Sequence, residues 1–260
     1  MNDLGLFDAH CYVGRYKTFR PGSYTGTQQL VEHMDHFGIS EALVTHSMSR
    51  ELHPTDGNEA VLSETLGRDR LHPSWALLPP ASGELPPPRE VIGLMMAQGV
   101  RAVMLFYGSY SFSLSEWCIG ELLEQLEAHA VPTFLDPDTE LDTWDQDRFD
   151  WDAVDRLCAA HPGLPVILSE ARFRTSNRIL YQLLQRHANL HIELSGFWAY
   201  HGIEFVAREF GAHRLLFGTR MPVRDPACAI GQLVYSDIPD DEKKLIAGDN
   251  LRKLLGGVKT

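Results

Sequence analysis

The sequence predicts an α/β fold, a single-domain (β/α)8 TIM barrel over residues 1–260. Three observations predict it. Eight apolar runs rich in β-branched residues alternate with eight stretches at helical spacing, the mark of parallel β/α units. The chain has 260 residues, of which 44% are hydrophobic, enough for one sizeable core and the usual size of such a barrel. The rival, a doubly wound open sheet, announces a dinucleotide site with a Gly-rich turn after the first strand. "CYVGRY" has a single glycine there, which argues against it.

The elements follow in order. Strands are expected over Leu6–Tyr12, Ala42–His46, Ser74–Leu78, Ala102–Phe106, Thr133–Asp136, Val166–Glu170, His191–Ser195 and Leu215–Thr219. Helices are expected between and after them, over Thr27–Phe37, Asn58–Leu66, Arg89–Ala97, Ser115–His129, Trp151–Ala160, Ser176–Arg186, Gly202–Phe210 and Ala227–Leu233. Two show an apolar stripe: Leu114, Trp117, Cys118, Leu122 and Leu126 in one, Ile179, Leu180, Leu183 and Leu184 in the other. The proline-rich "LLPPASGELPPPRE" reads as a stiff loop after the third strand, because the alternation resumes directly after it. The tail "PDDEKKLIAGDNLRKLLGG" adds a capping helical pair.

Charge and composition exclude several functions. The formal net charge of −12 repels phosphate backbones, so no nucleic-acid partner is expected. No apolar run is long enough to span a membrane. A first strand beginning near Gly5 leaves no room for a signal peptide. The four cysteines are scattered, with no C-x-x-C pair, and read as reduced thiols of a cytoplasmic protein. A homo-oligomer is left open.

In such a barrel the reactive residues lie at the C-terminal strand ends. The ends offer Asp8, His10 and Tyr12, placed on one face by the period of two; then His46; Tyr107; Asp136 and Asp138; Glu170 and Arg172; Glu193 and Ser195; and Arg220. Glu193 and Ser195 share a face, either deep in the barrel or toward the helices. The acidic, Trp-containing Glu140–Asp152 is a loop over the barrel mouth or a lid. The basic and aromatic Arg15–Tyr24 is a second candidate wall.

The segments "FDAHCYVG", "AHAVPTF", "HPGLPVIL", "HANLHIELSG", "FGAHRLLFGTRMP" and "GDNLRKLL", in this order, resemble the amidohydrolase-related family of metal-dependent TIM-barrel hydrolases and decarboxylases. The resemblance covers nearly the whole chain. It implies hydrolysis of an amide, ester or lactone, or decarboxylation of a small acid. It also implies Asp-x-His-x-His on the first strand, a His ending the fifth and another ending the sixth, and an Asp before the x-Pro of the eighth. Those side chains hold one or two divalent metals, usually zinc.

This chain keeps Asp8 and His10 and departs at Tyr12, Asp136, Glu170 and Arg220. A guanidinium can neither ligate a cation nor lose its proton, so Arg220 opposes the metal. No cofactor is expected. Should the family mechanism be kept, a divalent ion such as zinc would fall to His10, Asp136 and Glu170. Two readings follow. Arg220, Asp136 and Glu170 form a charge plug in a retired site, leaving a barrel that only binds a small molecule or a protein partner. Alternatively they form a metal-free active site. There Arg220 and Arg172 orient an anionic small-molecule substrate, lined by Tyr12, His46 and Tyr107, and Asp8, His10, Asp136 and Glu170 supply proton transfer.

Overall fold

The computed structural model describes residues 4–17, 22–137, 149–169 and 177–260. It is a closed parallel barrel. β1 (Leu6–Val13), β2 (Ile39–His46) and β3 (Leu71–Pro73) pair in parallel, and so do β4 (Trp75–Ala76), β5 (Val103–Leu105), β6 (Thr133–Leu135), β7 (Val166–Leu168), β8 (Leu190–Glu193) and β9 (Leu215–Leu216). β3 and β4 are two halves of the expected third strand. Ser74 parts them, giving its backbone N–H and its hydroxyl to Val44 O, at 2.9 and 3.1 Å. The ring closes where Ala9 N donates to Phe217 O and Tyr12 N to Met221 O. Eight strands therefore surround the lumen, as expected.

Helices cover the barrel: α1 (Thr27–Phe37), α2 (Met48–Glu51), α3 (Pro54–Thr65), α4 (Pro88–Ala97), α5 (Glu116–Ala128), α6 (Trp151–Ala160), α7 (Asn177–Arg186), α8 (Gly202–Phe210) and α9 (Pro226–Val234). α10 (Asp240–Lys244), a π turn and α11 (Asn250–Gly256) close the tail. None of the described helices is long and apolar enough to cross a membrane. The four cysteines are free.

The strands read as near-continuous apolar runs because both their faces are buried. Alternate residues fill two cores. Phe7, Ala9, Met104, Phe134, Ile167 and Leu216 pack inside the barrel. Cys11, Val103, Leu105, Leu135, Val166 and Ile192 pack outward against the helices. Two stripe positions behave otherwise than expected. Trp117 is 82% exposed and Ile179 is 46% exposed. On α5 the buried face is Ile119, Leu122, Leu123 and Leu126, which turns Trp117 out to solvent.

Candidate functional site

The site is built on an irregularity in β1. Asp8 Oδ1 accepts from His10 N at 3.0 Å, a local turn of the kind Asp favours. It takes the His10 amide out of the ladder, and the β1–β2 register shifts between Asp8 and Cys11. The expected shared face of Asp8, His10 and Tyr12 is thereby overturned. Phe7 and Ala9 point into the lumen, and after the shift Tyr12 does too. His10 reaches the β7 and β8 ends, while Asp8 faces the β9 end.

Asp8 is wholly occupied there. Thr219 N donates to Oδ1 at 2.9 Å and Thr219 Oγ1 donates to Oδ2. Burial pushes its carboxyl up from 3.8 to about 6, offset in part by bonds from Cys11, Thr219 and the His10 backbone. The native chain thus holds this proton to higher pH than the unfolded chain does, and Asp8 makes stability fall as pH rises from about 4 to about 6. Asp8→Asn is expected to remove that slope. The stability difference between wild type and variant, from denaturant titrations at pH 4 and pH 7, should change by about 2 kcal/mol in the variant's favour. An unchanged difference would rule out Asp8 as the source.

His10 lies in a chain of bonds across the lumen. Its Nε2 is 2.8 Å from the Tyr12 hydroxyl. Its Nδ1 is 2.8 Å from Ser169 Oγ and 3.4 Å from Glu193 Oε2. Ser169 Oγ donates to the same Glu193 oxygen at 3.4 Å. Glu193 is held by Ser195, whose N–H donates to Oε1 at 2.6 Å and whose hydroxyl donates to Oε2 at 2.7 Å. His10, Tyr12, Ser169 and Glu193 are all fully buried. Of the two placements open for Glu193, the deep one holds.

Arg220 is tied to the same strand end through its backbone. Its backbone is left-handed, with φ 59°, and its N–H donates to His10 O at 2.7 Å. Its Nη2 is 3.7 Å from Asp136 Oδ2 at the end of β6, and both side chains are out of contact with solvent. Asp8, His10, Tyr12, Asp136 and Arg220 therefore gather at the C-terminal ends of the strands. Glu170, Arg172 and Asp138 lie outside the described residues, as do 140–148 of the acidic loop.

His46 ends β2. Its Nδ1 accepts from Met48 N at 3.2 Å, and burial lowers its pKa. A Cβ on Gly14, whose φ is 90°, would come within 2.6 Å of the His46 ring, so only glycine lets the chain pass there. Tyr107 packs on Phe149, and Phe149 on Trp151, at ring distances of 6.4 and 5.1 Å. Tyr16, from the loop after β1, meets Tyr12 edge-on at 5.4 Å.

Strand alternation is the sequence signal that places Ser169. Ile167 points into the lumen, so the period of two carries Ser169 there as well.

The amidohydrolase sequence pattern matches residues 54–257. The chain belongs to the amidohydrolase family. Solved structures agree on the fold. 5-Carboxyvanillate decarboxylase from Sphingomonas paucimobilis superposes with a TM-score of 0.73 at 13% identity, over 98% of this chain and 100% of that one. A dihydroxybenzoic acid decarboxylase from a Polaromonas species, with bound manganese and the inhibitor 2-nitroresorcinol, gives 0.71 at 15% identity, over 97% of each chain. A probable 2-pyrone-4,6-dicarboxylic acid hydrolase from Acinetobacter baumannii, with citric acid bound, gives 0.65 at 17%, over 97% of this chain and 99% of that one. No curated protein matches the chain.

Amidohydrolases usually hold a divalent metal at this end of the barrel. Among the described residues the donor set does not fit one. Tyr12 and Arg220 occupy positions where the family pattern has ligands, and Arg220 puts a buried cation 3.7 Å from the Asp136 carboxylate. A metal ion would meet that charge with no water to screen it. Among the described residues, no three His, Cys, Asp or Glu side chains are grouped to hold a metal.

Proposed function

We propose that this amidohydrolase hydrolyses an amide, ester or lactone of a small anionic molecule without a catalytic metal. The observation that carries the proposal is a buried guanidinium at the same strand ends as His10: the Arg220 backbone N–H bonds His10 O, and its Nη2 lies 3.7 Å from Asp136 Oδ2. Arg220 supplies the positive charge that would hold a substrate carboxylate or stabilise a developing oxyanion. His10 moves the proton. Asp8 braces the β1 and β9 ends through Thr219 and does no chemistry itself. Decarboxylation of a small acid uses the same two elements, an anion anchor and a proton donor, and belongs in the same assay.

A second proposal is favoured by one observation. Arg220 is only 1% exposed, which suits a charge plug in a barrel that binds without turnover.

The test is direct. Purified protein, with and without prior treatment by a chelator, is incubated with small carboxylated lactones, esters, amides and aromatic acids, and products are followed by mass spectrometry. Turnover that survives chelation, and that falls at least ~100-fold in His10→Asn, is expected. Turnover only after manganese or zinc is added would overturn the metal-free part. Saturable binding without product would favour the inactive barrel.

A further inference from the structure

We infer that Tyr12 is the proton-transfer residue of this site, with His10 as its base and Glu193 as the residue that fixes which His10 nitrogen is free to act. The inference rests on the hydrolase proposal and deepens it. The family pattern expects a metal ligand at position 12, and a phenol there is a different device.

The geometry decides between the two tautomers of His10. Glu193 Oε2 lies 3.4 Å from Nδ1, and the carboxylate accepts bonds but has none to give. Its negative charge holds the proton on Nδ1. Nδ1–H then donates to Ser169 Oγ at 2.8 Å, and the Ser169 hydroxyl passes its own proton bond on to Glu193 Oε2. Nε2 is left as an acceptor, and the group 2.8 Å from it is the Tyr12 hydroxyl, which therefore donates. Glu193 cannot drift from this post. Ser195 holds both of its oxygens. Behind it, a Cβ on Gly218 would overlap Oε1 and stand 2.5 Å from Cδ, so position 218 must be glycine for the carboxylate to sit there.

The proton path follows. As water attacks the substrate carbonyl, the Tyr12 oxygen takes one water proton and gives its own to His10 Nε2. The resulting imidazolium is paired with Glu193. The hydroxide adds to the carbonyl carbon and forms the C–O bond. The tetrahedral oxyanion then collapses and expels the leaving oxygen or nitrogen, which takes a proton from Tyr12. His10 returns its proton to Tyr12, and the site is as it began. One water is consumed, with no change in oxidation state.

The experiment has a readout that needs no substrate. Long-range 15N–1H correlation spectra of 15N-histidine-labelled protein report which ring nitrogen carries the proton, and loss of a signal in His10→Asn assigns His10. The expected result is Nδ1–H with Nε2 accepting in the wild type. Glu193→Gln, whose amide can donate to Nδ1, should move the proton to Nε2. Tyr12→Phe should leave the tautomer and shift Nε2. With a turned-over substrate, Tyr12→Phe should lose ~100-fold or more in kcat while KM changes little. A wild-type His10 carrying its proton on Nε2 overturns the inference, and so does a Tyr12→Phe enzyme with unchanged kcat. If Nδ1–H is found and no substrate of any class is hydrolysed, the hydrolase proposal fails while the assignment of donor and acceptor stands.

Discussion

Arg220→Met is expected to cost the fold about 3–5 kcal/mol at pH 7. Arg220 and Asp136 are both shut off from solvent, and their charged groups lie 3.7 Å apart. Methionine fills much of the volume but leaves the Asp136 carboxylate buried without the cation beside it. Removing one partner of a buried pair is costly for that reason, whatever the pair itself contributes. Arg220→Lys keeps the charge on a flexible stem and should recover part of the loss, since the planar fork does not return. Denaturant titrations of the three proteins measure it. A loss on the order of 1 kcal/mol or less would mean that solvent reaches the guanidinium, as for a surface pair. Arg220 would then be an anchor awaiting its ligand, and the charge-plug reading would fall.

Gly218→Ala is the second large effect, about 3–5 kcal/mol. The added methyl would overlap Glu193 Oε1 and stand 2.5 and 2.7 Å from Cδ and Cγ. A glutamate at the surface would swing away. Glu193 has no such freedom, because it is fully buried and bonded to Ser195 through both oxygens. Either the β8 and β9 strand ends part or the carboxylate breaks bonds that water cannot replace. Gly248 is not the control, since a Cβ there would press on the backbone of Gly5 at 2.7 Å. Gly231→Ala is: it is helical and meets nothing within 4 Å, so it should leave stability unchanged or slightly raised. Thermal unfolding of the two variants side by side decides the matter. Equal midpoints would show that Glu193 is not pinned.

Much of the barrel was legible because burial writes itself into the sequence. Three helices fall where the helical spacing put them, Thr27–Phe37, Trp151–Ala160 and Gly202–Phe210. The missed pieces have local causes. α2 is a single turn, too short for a period to show. α3 begins four residues before the expected Asn58, because Pro54 sits at its first turn and His53 caps Thr55 N at 3.2 Å, a start signal with little apolar content around it.

The residues at the strand ends were legible, Ser169 excepted, and their wiring was not. The strand–helix alternation put His10, Tyr12, Asp136 and Arg220 at strand ends, and the structure brings them together there. What alternation cannot reveal is the turn that Asp8 makes with the His10 amide, which changes the face of every residue after it. Nor can sequence separate a buried Glu193 from one facing the helices. That choice was made by the space beside Gly218 and by Ser169, a small hydroxyl at the end of a neighbouring strand.

Metal content tests most directly the proposal that an arginine–carboxylate pair and a tyrosine–histidine chain work without a divalent metal. Protein expressed in zinc- and manganese-supplemented medium, then dialysed at neutral pH without chelator, should carry far less than one equivalent of either metal by elemental analysis, since Arg220 sets a buried cation 3.7 Å from the Asp136 carboxylate. About one metal per chain, retained through dialysis and lost in His10→Asn, would contradict this and make His10 a ligand in place of a base.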